Sequence, residues 1–174
     1  MPPAMLPRRL FSITLAGLLA APAWAAPALW VSGDVPPYLT QGSDGPQGYA
    51  YELFQQVVRQ AGVEAELRIY PWARALRMVE AREAHAALVM TRSPEREAGY
   101  RWLFPVGSFR FVVATRAADG PVPGDIGALR DRRIGALRGS VGRGMLAAAG
   151  ARRVVDGRDF PDLFALLQRG VDHA

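Results

Sequence analysis

What most constrains this chain is a hydrophobic period that switches repeatedly between strand-like alternation and helix-like spacing of three and four, with glycines and prolines at the switches. Leu29 to Gly33 is a short apolar run ending in the turn-forming stretch Asp34-Val-Pro-Pro-Tyr38, so a strand runs into a loop. From Gly48 to Ala61, Leu53, Phe54, Val57 and Val58 fall on one helical face, and Gly62 stops the helix. Val63, Ala65, Leu67 and Ile69 then alternate with Glu64, Glu66 and Arg68, which predicts a half-buried strand. Pro71 opens a second helix over Trp72 to Glu83, with Ala73, Leu76, Val79 and Ala84 at helix-like spacing. Ala86 to Met90 is the next buried strand. Ser93 and Pro94 fit the N-cap and first turn of a short helix, and Phe109 to Thr115 reads as a further strand.

Ala117 to Gly124 holds two prolines and two glycines, breaks the period and marks a crossover. Beyond it come a strand at Arg133 to Leu137, a helix at Arg143 to Ala149 and a strand at Arg152 to Val155. A last helix runs from Phe160 to Gln168 with Leu163, Leu166 and Leu167 inward. This alternation predicts an α/β fold of two lobes with mostly parallel sheets: lobe I over 26–115, a hinge at 116–124 and a partial lobe II over 125–174. At Gly170 to Ala174 the pattern starts another strand. A parallel strand needs pairing on both edges and cover on both faces, so the second lobe is expected to be incomplete and the sequence truncated at its C-terminal end.

Met1 to Ala25 has the order of a secretory signal peptide: Arg8 and Arg9, an apolar run from Phe11 to Ala21, then Ala23-Trp24-Ala25. The expected cut follows Ala25, because one residue later Pro27 would hinder the peptidase. The expected product is a free periplasmic protein without stable membrane insertion. Lacking cysteine, it has neither a disulfide nor a lipid-attachment thiol, so it must rely on core burial. All 21 basic residues are arginine, against 16 acidic ones, and removing residues 1–25 lowers the net charge from +5 to +3. That mild, scattered surplus argues against nucleic-acid binding.

In sequence order, Gly33-Asp34 with Pro37-Tyr38, Gly48-Tyr49 leading into Glu52-Leu53, Pro71-Trp72-Ala-Arg74-Ala-Leu76, Met90-Thr91-Arg-Ser93-Pro-Glu-Arg96 and Arg138-Gly-Ser140 resemble the periplasmic solute-binding proteins of family 3, the polar amino-acid receptors of ABC importers. The resemblance runs from about Leu29 to Asp172. It implies two lobes of the periplasmic-binding-protein type (type II) closing on one small polar or anionic solute, a membrane permease as partner, and no cofactor. It also implies roles: Tyr38 and Trp72 as aromatic walls, Asp34 in a loop approaching the ligand, Thr91 and Arg96 as the carboxylate site, and Ser140 as the donor from the second lobe. Two features depart from the pattern. Ala50 stands where an aspartate is common, and the acidic residue that pairs with the ligand's ammonium would lie beyond the strand starting near Asp172. A protein with one jaw and half of the other is expected to bind weakly.

The residues carry their own chemistry. A guanidinium presents a planar fork that matches a carboxylate, so Arg96 near a helix start suits an anion; the alternative is an Arg96 that pairs only with Glu95 or Glu97. Trp72 and Tyr38 follow strand ends, where open α/β sheets bind ligands, yet either could be an ordinary core ring. Arg74 reads better as solvated. The glycine-rich loop Arg138 to Gly144 could cradle a negative group or be a plain tight turn, and it lacks both the dinucleotide fingerprint and the lysine of a P-loop. Enzyme readings find little: there is no Gly-x-Ser-x-Gly elbow, and His85 and His173 lie in no metal motif, so no metal is expected. Two alternatives remain. A lyase or dehydratase on the same scaffold would need Glu52 or His85 to face Trp72 and Arg96, and a sensor module would feed a membrane protein.

Overall fold

The computed structural model describes residues 26–121 and 124–169. The expected signal peptide and the strand expected near Asp172 lie outside them.

Strand β1 (Ala28–Ser32) is the middle of a three-stranded parallel sheet between β4 (Ala65–Ile69) and β5 (Ala86–Ala87). Side chains alternate across a strand, so β1 feeds two cores. Trp30 goes to one face and meets Phe54 of helix α1 (Tyr49–Ala61), their rings 5.2 Å apart, within a cluster of Leu39, Ala50, Leu67, Leu88 and Val89. Val31 goes to the other face and is buried with Trp72 and Ala75 of helix α2 (Trp72–Glu80). Helices therefore cover both faces, as a parallel sheet requires. Gly62 ends α1 in the left-handed conformation, φ 63°, where the N–H groups of Gly62 and Val63 reach the carbonyls of Arg59 and Val58, both at 3.3 Å.

A second pair of parallel strands, β6 (Arg133–Leu137) and β7 (Arg153–Gly157), is joined by α4 (Val141–Ala148) and followed by α5 (Phe160–Arg169). Leu163 of α5 sits so close to β7 that a Cβ at Gly157 would lie 2.5 Å from its Cδ2, so any larger residue there has to push the Leu163 side chain aside. Between the two sheets run α3 (Pro94–Glu97) and short 3-10 turns at Ala117–Asp119 and Ile126–Leu129.

Several elements differ from expectation. The strand expected over Ala86 to Met90 pairs in regular fashion only at Ala86–Ala87. Leu88 still donates to the Val31 carbonyl at 2.8 Å, then Val89 turns the backbone away at φ 57°, a conformation rarely adopted by a β-branched residue. The α2 helix stops at Glu80 instead of Glu83, and Arg82 takes φ 59°. Phe109 to Thr115 forms no strand; its Phe111 and Val112 are exposed, because strand propensity acts only where a neighbouring strand offers an edge. The antiparallel hairpin of β2 (Thr40–Gly42) and β3 (Gly45–Gln47) is not among the expected elements, although Asp44-Gly45 is a hairpin signal.

Candidate ligand cleft

The α2 helix begins at the carboxyl end of β4, which plants the Trp72 indole against Gly33 at the end of β1. Trp72 is buried and its Nε1–H donates to the carbonyl of Gly139 at 3.0 Å, in the loop between β6 and α4. Arg96, from α3, reaches the same oxygen: its Nη2 donates to Gly139 O at 2.7 Å and its Nη1 to Thr91 O at 3.0 Å. The guanidinium carbon lies 5.7 Å from the Trp72 ring centroid, a cation–π distance. Arg92 takes Glu97 in a bidentate pair, so Arg96 is not spent on that neighbour. Burial pushes the Arg96 pKa down, against the opposing pull of Tyr100, Glu80 and Glu95, and the group stays a cation.

Beside this contact is a hollow of about 230 Å³ lined by Asp34, Tyr70, Trp72, Leu137, Arg158 and Asp159, together with Ile69, Pro71 and Pro161. Its volume suits a solute of amino-acid size or smaller, since drug-sized ligands occupy roughly 300–1,000 Å³. Its polar groups follow β1, β4 and β7, and Leu137 ends β6, so both sheets turn the carboxyl ends of their strands to one space. Asp34 Oδ1 is buried without a hydrogen-bond partner; among the described residues only Trp102 Nε1 shares that condition. Asp159 Oδ1 accepts from the Asp162 N–H at 2.7 Å, and Arg158 extends to Asp162, Nε to Oδ2 3.6 Å. A second hollow of about 420 Å³, lined by Ala73, Leu76, Arg77, Arg138 and Gly139, opens on the far side of the Gly139 contact.

The structure gathers some of the six sequence candidates and separates others. Asp34 and Trp72 share the first hollow, and Arg96 faces Trp72 beside it. Thr91 takes part through its main-chain carbonyl. Ser140 Oγ accepts the Arg143 N–H at 3.1 Å and so caps α4. Tyr38 is outside the lining, its ring edge-on to Phe109 at 4.9 Å and packed on the α1 core. Arg74 lies over the Tyr70 ring, 4.6 Å from its centroid. Ser93 precedes α3 but makes no side-chain cap to its backbone; its hydroxyl serves Glu95, whose carboxyl is held below its usual range first by that bond. His85 Nδ1 accepts the Leu29 N–H at 3.1 Å, and neither it nor Glu52 lines the hollow. Sequence reasoning missed Tyr70, Leu137, Arg158, Asp159 and the Gly139 carbonyl. The strand-end rule applied to every strand would have found all but the carbonyl.

No group of three or more His, Asp or Glu side chains among the described residues could hold a metal ion, and no described helix is long and apolar enough to cross a membrane.

Two α/β lobes of parallel strands, with strand ends turned to a common hollow, define a two-lobed binding fold. The protein belongs to the bacterial extracellular solute-binding proteins, family 3, whose profile matches residues 29–173. Among solved structures it is similar to arginine-bound ArgBP from T. maritima, with a TM-score of 0.70 and 20% identity, covering 83% of this chain and 69% of that one. It is also similar to a histidine kinase sensor domain with similarity to periplasmic binding proteins, with a TM-score of 0.64, 22% identity, and 82% and 64% coverage. A third is the GluR0 ligand-binding core from Nostoc punctiforme in complex with L-glutamate, with a TM-score of 0.62, 17% identity, and 82% and 65% coverage. The sequence thus spans about two thirds of the length of these relatives. No curated protein sequence matches it.

Proposed function

We propose that this protein is a non-catalytic receptor that takes a small, polar, amino-acid-like solute into the hollow between its lobes and delivers it to the membrane permease of an ABC importer. In this reading the lobes are residues 26–115 and 125–174, with 116–124 as hinge, and the protein works in the periplasm after a cut behind Ala25. The observation that carries it is the meeting of Asp34 and Trp72 from the first sheet with Leu137, Arg158 and Asp159 from the second around one hollow. A solute touching both sets stabilises the closed arrangement by its differential affinity for it, and so couples capture to a shape that a permease can recognise. Family membership and the arginine-bound and glutamate-bound relatives support an amino-acid-like solute.

Titration calorimetry of the protein with a panel of amino acids tests this. The reading expects saturable heat with at least one of them, weakened about tenfold or more by Trp72→Ala. Absence of binding across the panel would overturn it. The likeness to a kinase sensor domain favours one other reading, a ligand-sensing module. Loss of labelled-solute uptake on deleting the gene separates the two, because a sensor alters a response and leaves uptake intact.

A further inference from the structure

We infer that the base of the second lobe, the end of the β6–β7 pair turned away from the hollow, docks on a membrane surface carrying anionic phospholipid headgroups.

Strands β6 and β7 end at the hollow, with Leu137 and, one residue on, Arg158 in its lining. Their opposite ends, at Arg133 and Arg153, lie about 13 Å further off along the strands. The parallel register sets Arg133 beside Arg153, and the chain just before each strand adds Arg130, Arg132 and Arg152. The Arg152 N–H donates to the Arg130 carbonyl at 2.9 Å, which holds the two segments side by side, and the Arg130 guanidinium lies against Gly150. A surplus that looks scattered along the sequence is therefore gathered in space. Among residues 26–174, the segments 130–133 and 152–153 hold five arginines and one acid, Asp131, whereas the remainder holds 14 arginines against 15 acids.

The acids nearby do not cancel this charge. Asp131 pairs with Arg152 at 3.3 Å, but the two side chains are 76% and 68% exposed, and so hydrated a pair is weak. Asp119 lies within electrostatic reach of Arg132 yet is held in a bidentate pair by Arg116. Asp125 accepts the Gly127 N–H at 3.1 Å and so caps the turn before Arg130. Like charges on neighbouring strands cost stability, and a layer of anions removes that cost.

Three features select a lipid surface as the counterpart. The five arginines surround the end of a sheet and none lines either hollow, so they suit a broad, flat partner better than a peptide in a groove. Each carries a guanidinium, whose planar fork meets phosphate oxygens at two points. Ile126, 39% exposed, stands in the turn that leads to Arg130, and an apolar side chain among cations is suited to enter the headgroup layer. Each arginine brought close to an anionic bilayer is worth about fivefold in partitioning. Docking by this end leaves the hollow, at the other end of the strands, free to take its solute.

The test is cosedimentation of the full chain with vesicles of phosphatidylcholine alone and of phosphatidylcholine with about one third phosphatidylglycerol, at about 0.05 and 0.5 M salt. Binding is expected to favour the phosphatidylglycerol vesicles and to fall at high salt. Arg152→Glu with Arg153→Glu is expected to weaken it about tenfold or more. Arg59→Glu with Arg101→Glu alters two exposed arginines elsewhere by the same net charge and is expected to leave binding within about twofold. Residues 1–25 are common to every variant, so the comparison between variants reports the base. Amino-acid calorimetry on the base variant is expected to match the parent protein, which keeps this result apart from the receptor reading. Equal binding to both vesicle types overturns the inference, as does an equal loss in both double variants, since net charge alone would then act. Tighter binding to polyglutamate than to the phosphatidylglycerol vesicles also overturns it, in favour of an acidic protein segment. Should the base variant fail to fold, Arg130→Glu with Arg132→Glu carries the same expectation.

Discussion

Trp72 and Arg96 donate to one peptide oxygen, so the carbonyl of Gly139 ties the second sheet to the first beside the packing of Leu137 on the Trp72 cluster. Gly139 has φ 73°, a left-handed turn that glycine enters without steric cost. Trp72→Phe removes the indole donor and keeps most of the ring. It should lower stability by about 1 kcal/mol, the net worth of one buried hydrogen bond, with the urea midpoint as readout; an unchanged midpoint would show that the bond does not hold the contact. Much about these residues was legible beforehand. Asp34, Trp72 and Arg96 follow strand ends or open a helix, and local pattern reveals that. Tyr38 follows a strand end too, yet its ring packs against Phe109, because the direction of a side chain in a loop depends on neighbours that local pattern does not name.

Helix α5 shows how an element's end can carry a pH response. Asp159 and Asp162 cap it reciprocally: Asp159 Oδ1 accepts the Asp162 N–H at 2.7 Å, and Asp162 Oδ2 accepts the Arg158 N–H at 3.0 Å. That second bond is the main reason the Asp162 carboxyl titrates below its usual range, with the Arg158 charge adding to it. A folded-state pKa below the unfolded one means that the stabilisation is present above the unfolded value and is lost as pH falls through the folded one. The start of α5 should therefore loosen only in strong acid, below the ordinary carboxylate range, and Asp162→Asn should flatten that dependence in a helicity titration by circular dichroism. The run Phe109 to Thr115 teaches the opposite lesson about elements. Its composition is that of a strand, but it pairs with no strand, so its amides should exchange with deuterium far faster than those of β1; protection equal to that of β1 would contradict the architecture described.

For the whole molecule, the α/β class, the parallel sheets of two lobes and most of the order of strands and helices could be read from the sequence alone, but not the β2–β3 hairpin or the absence of a strand at Phe109 to Thr115. Hydrophobic period is a local property, and burial on a sheet or helix face imposes it. Three of the departures share one cause. The shortness of β5, the unpaired run after α3 and the Ser93 hydroxyl that serves Glu95 all depend on what stands opposite in space. The site followed the same division. Sequence by itself determined that acidic, aromatic and guanidinium groups stand at strand ends and helix starts. Only the tertiary structure decided which of them meet around one hollow and which are spent on the Gly139 carbonyl, because Gly139 is 43 residues from Arg96 and 67 from Trp72, and a hydrogen bond across such a separation leaves no periodic trace in the sequence.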